Sequence, residues 1–187
     1  DAAHEIGIIH RDLKPENVFV VTGHGDERTV KILDFGISRL VEKHISMTMS
    51  GIVFGSPGYI SPEQARGSKD VDHRADLYSA GVILYELLTG RLPFDATGYN
   101  DMLVALTTEE PVHVSARGAS LEHGLQEIVM QAIRRDPDDR FQSADELIEA
   151  LRPYTPAERS SLVPRASSPA PLPDRPFIPP DPVATGR

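Results

Sequence analysis

The stretch from Asp76 to Thr89 constrains the fold more than any other part of the sequence. Its apolar side chains would fall on nearly every face of a helix, so a helix here has to be surrounded by other elements. Gly90 follows directly, as expected of a residue that ends a helix in the left-handed conformation, and Pro93 follows shortly after. The sequence therefore predicts a buried helix at the centre of a hydrophobic core.

Two later segments have the three- and four-residue spacing of amphipathic helices. Apolar residues recur from Leu125 to Ile133 and from Ala144 to Leu151. Ser143 stands directly before the second segment and Glu146 lies three residues later, which is the pattern of a capping box. Both segments are predicted to be helices with one face on the core.

Strands are few and short in the expected fold. Val18–Val21 and Thr29–Ile32 are β-branched runs separated by a segment that contains Gly23 and Gly25, which favours a β-hairpin. The two glycines lack the third glycine and the following helix of a nucleotide-binding loop, so we interpret them as turn residues. The fold class is therefore mainly α, with one or two short hairpins.

Composition changes once along the chain. Ten of the sixteen prolines lie between Pro153 and Arg187, mixed with serine, alanine and arginine and with almost no aliphatic periodicity. This composition predicts one folded domain over residues 1–153, followed by a disordered or polyproline tail over residues 154–187.

Charge and composition exclude several classes of function. A formal net charge of -9 at pH 7 argues against a protein held on nucleic acid by bulk electrostatics. The chain has no cysteine, and its seven histidines show no metal-binding spacing, so zinc is not expected. No apolar run approaches the ~20 residues that span a bilayer, and Asp1–Ile9 does not resemble a signal peptide. A cytoplasmic location is therefore expected.

The residues that suggest chemistry are concentrated in two short motifs. Residues 10–17 have the sequence HRDLKPEN, and Asp34-Phe35-Gly36 follows the expected hairpin. Asn17 and Asp34 carry the oxygen ligands that Mg²⁺ prefers, and Asp12 is a carboxylate that could accept a proton. Phosphoryl transfer needs mainly charge neutralisation and an oriented acceptor, which such residues can supply. Taken singly, each acidic residue could instead be a solvated turn residue.

In this order, and with Ser61-Pro62-Glu63 further on, the motifs resemble those of the protein kinase family. The resemblance extends from Asp1 to about Pro153 and covers the larger, helical C-terminal lobe of that family. The segments around Ser61 and residues 136–147 are most similar to the bacterial Hanks-type serine/threonine kinases. No glycine-rich phosphate loop precedes Asp1, so the resemblance implies a C-terminal lobe only, with the missing N-terminal lobe as a partner.

The resemblance implies a role for each residue of the two motifs. Asp12 would be the general base, and Lys14 would stabilise the transferred phosphoryl group. ATP and Mg²⁺ would be the cofactors: Asn17 and Asp34 would bind the metal, both residues and Lys14 would contact ATP, and Phe19 would lie under the adenine. The substrates would be serine and threonine hydroxyls of proteins.

Other residues would support the site without reacting. His10 and Phe35 would pack beneath the site. Asp76 would accept hydrogen bonds from the catalytic-loop backbone, and Glu63 would pair with Arg140. The resemblance implies a structural role for each of them.

The stretch from Ile37 to Tyr59 resembles the activation segment, whose order is commonly switched by phosphorylation. Arg11 would bind a phosphate on this segment through charge-assisted hydrogen bonds. The candidate phosphorylation sites are Thr48 and Ser50 and, less favoured, Ser46. These hydroxyls could instead only solvate a mobile loop. Ser56 and Tyr59 would belong to the loop that docks the protein substrate.

The sequence is compatible with two other functions. A kinase-like lobe without catalysis could bind other proteins, but Asp12, Asn17 and Asp34 are all present and favour an enzyme. A small-molecule phosphotransferase could share the aspartate and asparagine but would lack the pairing of Glu63 with Arg140. Because the nucleotide clamp is missing, we expect weak or no activity of the chain alone, with an exposed apolar surface around Phe19.

Overall fold

The computed structural model describes residues 2–23, 28–34 and 57–155. The α-helices within these ranges are α1 (Ala2–Glu5), α2 (Pro62–Ala65), α3 (Arg74–Thr89), α4 (Tyr99–Thr108), α5 (His123–Ala132) and α6 (Ala144–Leu151). Short 3₁₀ turns lie at Pro15–Asn17, Pro57–Tyr59, Val114–Arg117, Pro137–Asp139 and Arg152–Tyr154. Strands β1 (Val18–Thr22) and β2 (Arg28–Ile32) form one sheet. The expected mainly helical fold with a short hairpin is confirmed for these residues.

Helix α3 lies at the centre of the larger core, as the sequence predicted. Tyr78, Val82 and Tyr85 are fully buried, and Val82 and Tyr85 share one apolar cluster with residues of α4 and α5. Gly81 allows α5 to approach closely, because a Cβ at this position would lie 2.7 Å from the Cβ of Ala132. The helix is thus the element against which the others pack.

The bounds of α3 agree closely with the sequence pattern. The helix ends at Gly90, which has a φ of 70° and donates its amide hydrogen to the carbonyl oxygen of Glu86 at 2.7 Å. It begins at Arg74, slightly before the expected Asp76. Its last turn is less enclosed than expected, since Leu87 is 78 % exposed. The helix is therefore buried over most of its length but emerges at its C-terminal end.

Helices α5 and α6 occupy the two segments predicted to be amphipathic. Ser143 caps α6 by accepting a hydrogen bond from the Glu146 amide at 3.1 Å, as expected. The Glu146 carboxylate accepts from the amide of Gln142 at 2.7 Å, one residue before the position that the capping box predicts. Helix α4 was not anticipated, although Met102, Ala105 and Leu106 of this helix have helical spacing and are all buried.

The hairpin leads from the HRDLKPEN loop to Asp34. Strands β1 and β2 are antiparallel, with Val18 opposite Ile32 and Val20 opposite Val30. A further hydrogen bond of 2.9 Å joins the Leu33 amide to the carbonyl oxygen of Asn17. The hairpin thereby returns the chain to the loop that it left, which is the arrangement the sequence predicted.

The chain divides into two units, Asp1–Tyr154 and Thr155–Arg187. Residues 156–187, which make up nearly all of the predicted tail, lie outside the described residues, so the disorder of the tail stays a prediction. Among the described residues, none of the helices has the length and hydrophobicity of a membrane span.

Candidate active site

One buried carboxylate holds the beginning of the HRDLKPEN loop. Asp76, in the first turn of α3, accepts hydrogen bonds from the amides of His10 and Arg11, each at 2.8 Å. His4 of α1 donates from Nε2 to the same carboxylate at 2.9 Å. The predicted contact of Asp76 with the loop backbone is therefore confirmed, and it ties the start of the loop to the central helix.

The ring of His10 lies beneath the loop and joins it to the end of β2. Its Nε2 atom is 2.9 Å from the carbonyl oxygen of Leu33, which can only accept, so Nε2 carries the proton. Its Nδ1 atom then accepts from the amide of Asp12 at 3.3 Å. The buried imidazole thus bridges the backbone of the loop and the backbone that follows β2.

Asp12, Lys14 and Asn17 are brought together by the loop itself. The Nζ atom of Lys14 lies 3.1 Å from Oδ2 of Asp12, and both side chains remain partly accessible. Asn17 is 7 % exposed, and its Nδ2 atom donates to the carbonyl oxygen of Asp12 at 2.8 Å. This bond fixes the orientation of the amide, which makes Oδ1 the atom that can bind a metal.

Asp34 follows Leu33, the residue that pairs with Asn17, and is exposed. Its φ of 56° is in the left-handed region, which is uncommon for a residue other than glycine. Among the described residues, no group of three or more histidine, cysteine, aspartate or glutamate side chains could hold a metal ion. One amide and one carboxylate nevertheless fit Mg²⁺, which binds few protein ligands alongside phosphate and water.

Phe19 lies on β1, close in sequence to Asn17, and is 48 % exposed. Val20, Val21, Val30 and Ile32 of the same hairpin are also exposed. The hairpin therefore presents apolar side chains that the described residues leave largely uncovered. Such a surface can accept a flat apolar group or another folded segment.

The buried pairing of Glu63 with Arg140 that the sequence predicted is confirmed. The two guanidinium nitrogens donate to the two carboxylate oxygens at 2.9 and 2.8 Å. Arg140 also donates to the carbonyl oxygens of Arg134 and Arg135, and its guanidinium lies 4.8 Å from the ring centre of Tyr78. Burial alone would raise the pKa of Glu63, but the hydrogen bonds and positive charge of Arg140 lower it below its ordinary value.

Tyr59 lies in the core, which differs from its expected place in the substrate loop. Its hydroxyl donates to Oε2 of Glu86 at 2.7 Å, and its carbonyl oxygen accepts from Ser79 at 2.8 Å. Burial, together with the carboxylate of Glu86, raises the pKa of Tyr59. The Tyr59 side chain is thus buried against α3, which supplies polar partners for its hydroxyl and its carbonyl. A role of Tyr59 in the substrate loop stays a prediction.

Several predictions concern residues outside the described ranges. These residues are Phe35, the phosphorylation candidates Thr48, Ser50 and Ser46, and Ser56 of the substrate loop. Arg11 itself is described: its guanidinium donates to the carbonyl oxygen of Val71 at 3.4 Å. Its role in binding a phosphate stays a prediction.

Two residues near the site were not singled out from the sequence. His4 contacts Asp76, and nothing in the local sequence around His4 indicates this long-range contact. Gln64 donates to the carbonyl oxygen of Arg11 at 2.8 Å. Its position three residues after Ser61 is that of a capping box, so this signal was available.

Comparison with known proteins agrees with this geometry. Residues 1–161 match the family described as the protein kinase domain. The serine/threonine-protein kinase Pkn1 of Myxococcus xanthus is 44% identical over 151 residues, which cover 81% of this chain and 22% of that kinase. The serine/threonine-protein kinase pkn2 of the same organism is 44% identical over 176 residues, covering 92% of this chain and 21% of the relative.

The chain is also similar to a kinase from a second bacterial genus. The serine/threonine-protein kinase PknB of Mycobacterium tuberculosis is 39% identical over 180 residues, which cover 88% of this chain and 28% of that kinase. The chain thus spans between about a fifth and just over a quarter of the length of the curated relatives that it matches. With the HRDLKPEN loop, the hairpin and the pairing of Glu63 with Arg140 in place, the chain belongs to the protein kinase domain family.

Proposed function

We propose that the protein transfers the γ-phosphate of ATP to serine and threonine hydroxyls of other proteins. The observation that carries the proposal is the loop, in which the Asp12 carboxylate lies 3.1 Å from Lys14 and the Asn17 amide bonds to the backbone of Asp12. One short segment thereby carries a base, a cation and a metal ligand. The names of the relatives, all serine/threonine-protein kinases, support the class of acceptor.

Asp12 acts as the general base in this proposal. Its carboxylate accepts the proton of the acceptor hydroxyl as that oxygen bonds to the γ-phosphorus, and the bond from phosphorus to the oxygen of the departing ADP breaks. Lys14 stabilises the negative charge on the group in transfer.

Asn17 and Asp34 would hold Mg²⁺ with the triphosphate. The metal, when bound, supplies positive charge that offsets the charge on the phosphates. Asn17 is suited to this function because its amide is oriented by the bond to Asp12, and Asp34 because its carboxylate is accessible. Phe19 offers an apolar face for the adenine ring.

We further propose that residues 1–153 form the helical C-terminal lobe of the kinase. The mainly helical fold and the position of the hairpin beside the loop support this proposal. The exposed apolar side chains of the hairpin, Phe19 among them, would then be the surface on which the smaller lobe and the nucleotide rest. With this surface open, ATP binding by the chain alone is expected to be weak.

The proposed function is tested by incubating the purified protein with Mg²⁺, radiolabelled ATP and a serine-rich protein acceptor. Asp12→Asn is expected to lower transfer by about 10² to 10⁴-fold, because the general base is lost. Asp70→Asn is the matched control, since it makes the same chemical change on the exposed loop before α3. Because the chain alone is expected to bind ATP weakly, the assay uses a high ATP concentration and a long incubation. Transfer by the unaltered protein that is no greater than that of Asp12→Asn under these conditions would contradict the proposal.

A further inference from the structure

Gln64, the third residue of α2, bonds to two parts of the molecule at once. Its Oε1 atom accepts hydrogen bonds from the amide and the hydroxyl of Ser61 at 3.2 and 3.1 Å. Its Nε2 atom donates to the carbonyl oxygen of Arg11 at 2.8 Å. The Ser61 amide can only donate and the Arg11 carbonyl can only accept, so the orientation of the Gln64 amide is fixed at both ends.

Arg11 is the residue of the loop whose backbone most needs such support. Its φ of 63° is in the left-handed region, which is unfavourable for a residue with a Cβ atom and persists only where the surroundings hold it. Asp76 binds the amide of Arg11 at 2.8 Å, and Gln64 binds its carbonyl oxygen. The peptide planes on both sides of Arg11 are therefore held by side chains.

We propose that Gln64 is a positioning residue for Asp12. The carbonyl that it binds belongs to the peptide between Arg11 and Asp12, so the hydrogen bond sets the plane of that peptide and the direction of the Asp12 side chain. The same side chain caps the helix that begins after Ser61, so it couples the start of α2 to the loop. The part of the inference that concerns activity rests on the proposed function, in which Asp12 is the base.

The competing explanation is that Gln64 only caps α2. A cap needs only the acceptor oxygen, and glutamate serves as well as glutamine at this position of a capping box. A negative charge in the first turn of a helix is also favourable. Gln64→Glu therefore retains the cap, removes the donor to Arg11 and places a second oxygen against its carbonyl, so it separates the two explanations.

The test measures kcat, KM and the exchange of backbone amide hydrogens in Gln64→Glu. We expect kcat to fall by about 10- to 100-fold, because small displacements of a reacting group are costly, while KM for ATP changes by less than about twofold. The amide of Asp12 should exchange faster with solvent, since its peptide is no longer held.

Gln126→Glu is the matched control. Gln126 of α5 also donates from Nε2 to a backbone carbonyl, that of Leu121, at 2.7 Å and in a partly buried setting. The Gln126→Glu substitution makes the same chemical change at a site away from the loop. Both kcat and the exchange rate of the Asp12 amide should therefore stay as in the unaltered protein. Equal effects of the two substitutions on these quantities would overturn the proposal.

Gln64→Lys is the complementary variant, because it retains a donor that can reach Arg11 but has no acceptor for Ser61. Loss of the cap should lower the melting temperature by about 2–4 °C, while kcat stays within about threefold. A loss of kcat in Gln64→Lys as large as that expected for Gln64→Glu would mean that the cap matters, and it would overturn the proposal. This variant decides the question even if Gln64→Glu does not fold.

The amide of Asp12 distinguishes failure of this inference from failure of the proposed function. Unchanged exchange and unchanged kcat in Gln64→Glu would overturn the positioning role. Absence of phosphate transfer by the unaltered protein would contradict the proposed function, whereas faster exchange of the Asp12 amide in Gln64→Glu alone would still support the structural part of the inference.

Discussion

The HRDLKPEN loop and the helical core around α3 are held in place by different interactions. In the core, Val82 and Tyr85 are fully buried among apolar neighbours. In the loop, single side chains bind backbone groups: Asp76 binds two amides, and Asn17 binds the carbonyl oxygen of Asp12. Apolar packing is not directional, whereas hydrogen bonds fix angles. We infer that the core supplies most of the stability, whereas the polar contacts fix the orientation of the loop backbone and its side chains.

The largest effect is expected where the core itself depends on a polar pair. Arg140→Met leaves the Glu63 carboxylate in a buried site without its partner, which should lower the free energy of unfolding by about 3–5 kcal/mol. Urea denaturation measures this change. Arg152→Met, which breaks the exposed pair with Glu149, is the control and should change stability far less, because water screens an exposed pair. Similar losses of unfolding free energy from the two substitutions would show that the buried pair stabilises the fold no more than the exposed pair does.

The next prediction separates the loop from the core. Asp76→Asn weakens charge-assisted bonds to the amides of His10 and Arg11 and should cost about 1.5–3 kcal/mol. Exchange of the backbone amide hydrogen should speed up more at Arg11 than at Val82, which lies on the same helix as Asp76, because only the loop loses its anchor. Asp95→Asn, which weakens an exposed pair with Arg117, serves as the control. Uniform acceleration at both amides would indicate that loop and core open together.

A smaller effect is expected from the hydroxyl of Tyr59. Tyr59→Phe removes its hydrogen bond to Glu86 and should cost about 1 kcal/mol, measured by thermal unfolding. Since the ring lies in the core, KM for a protein acceptor should not change. Tyr99→Phe, at an exposed position, is the matched control. A marked rise of KM in Tyr59→Phe alone would restore this side chain to the substrate loop.

The smallest effect concerns pH. The folded state holds the pKa of Glu63 below its ordinary value of 4.5, so the ionised carboxylate stabilises the fold above that pH. This stabilisation should be lost as the pH falls from 4.5 through the lower pKa of the folded state. Urea denaturation of the unaltered protein and of Glu63→Gln should therefore show a difference that narrows towards acid pH. A difference that is constant or grows below pH 4.5 would contradict the assignment.

Local patterns were sufficient to predict the elements that carry the site. The helix after Asp76, the helix after Ser143 and the hairpin from Val18 all follow from spacing within a few residues. The pairing of Glu63 with Arg140 was implied by resemblance, because no local rule joins residues that far apart in sequence. Local spacing thus predicted the helices and the hairpin named above, and the resemblance supplied the long-range pairing.

What the sequence did not predict depends on partners distant in the chain. The hydroxyl of Tyr59 bonds to Glu86 of α3, which lies far along the chain. The contact of His4 with Asp76 is likewise long-range. Gln64 carried a local signal for a cap but none for its bond to Arg11. Helix α4 is an exception, because the helical spacing of its buried residues Met102, Ala105 and Leu106 is a local signal.

Among the described residues other than glycine, Arg11 and Asp34 are those with a positive φ. Glycine adopts this backbone conformation without a steric penalty, but it also widens the range of conformations open to the unfolded chain. A glycine in place of Arg11 would relax the local geometry and at the same time release the peptide that directs Asp12, and a glycine in place of Asp34 would remove the carboxylate itself. Laboratory selection for heat resistance would therefore gain little at these two positions, and its improvements should accumulate elsewhere in the molecule.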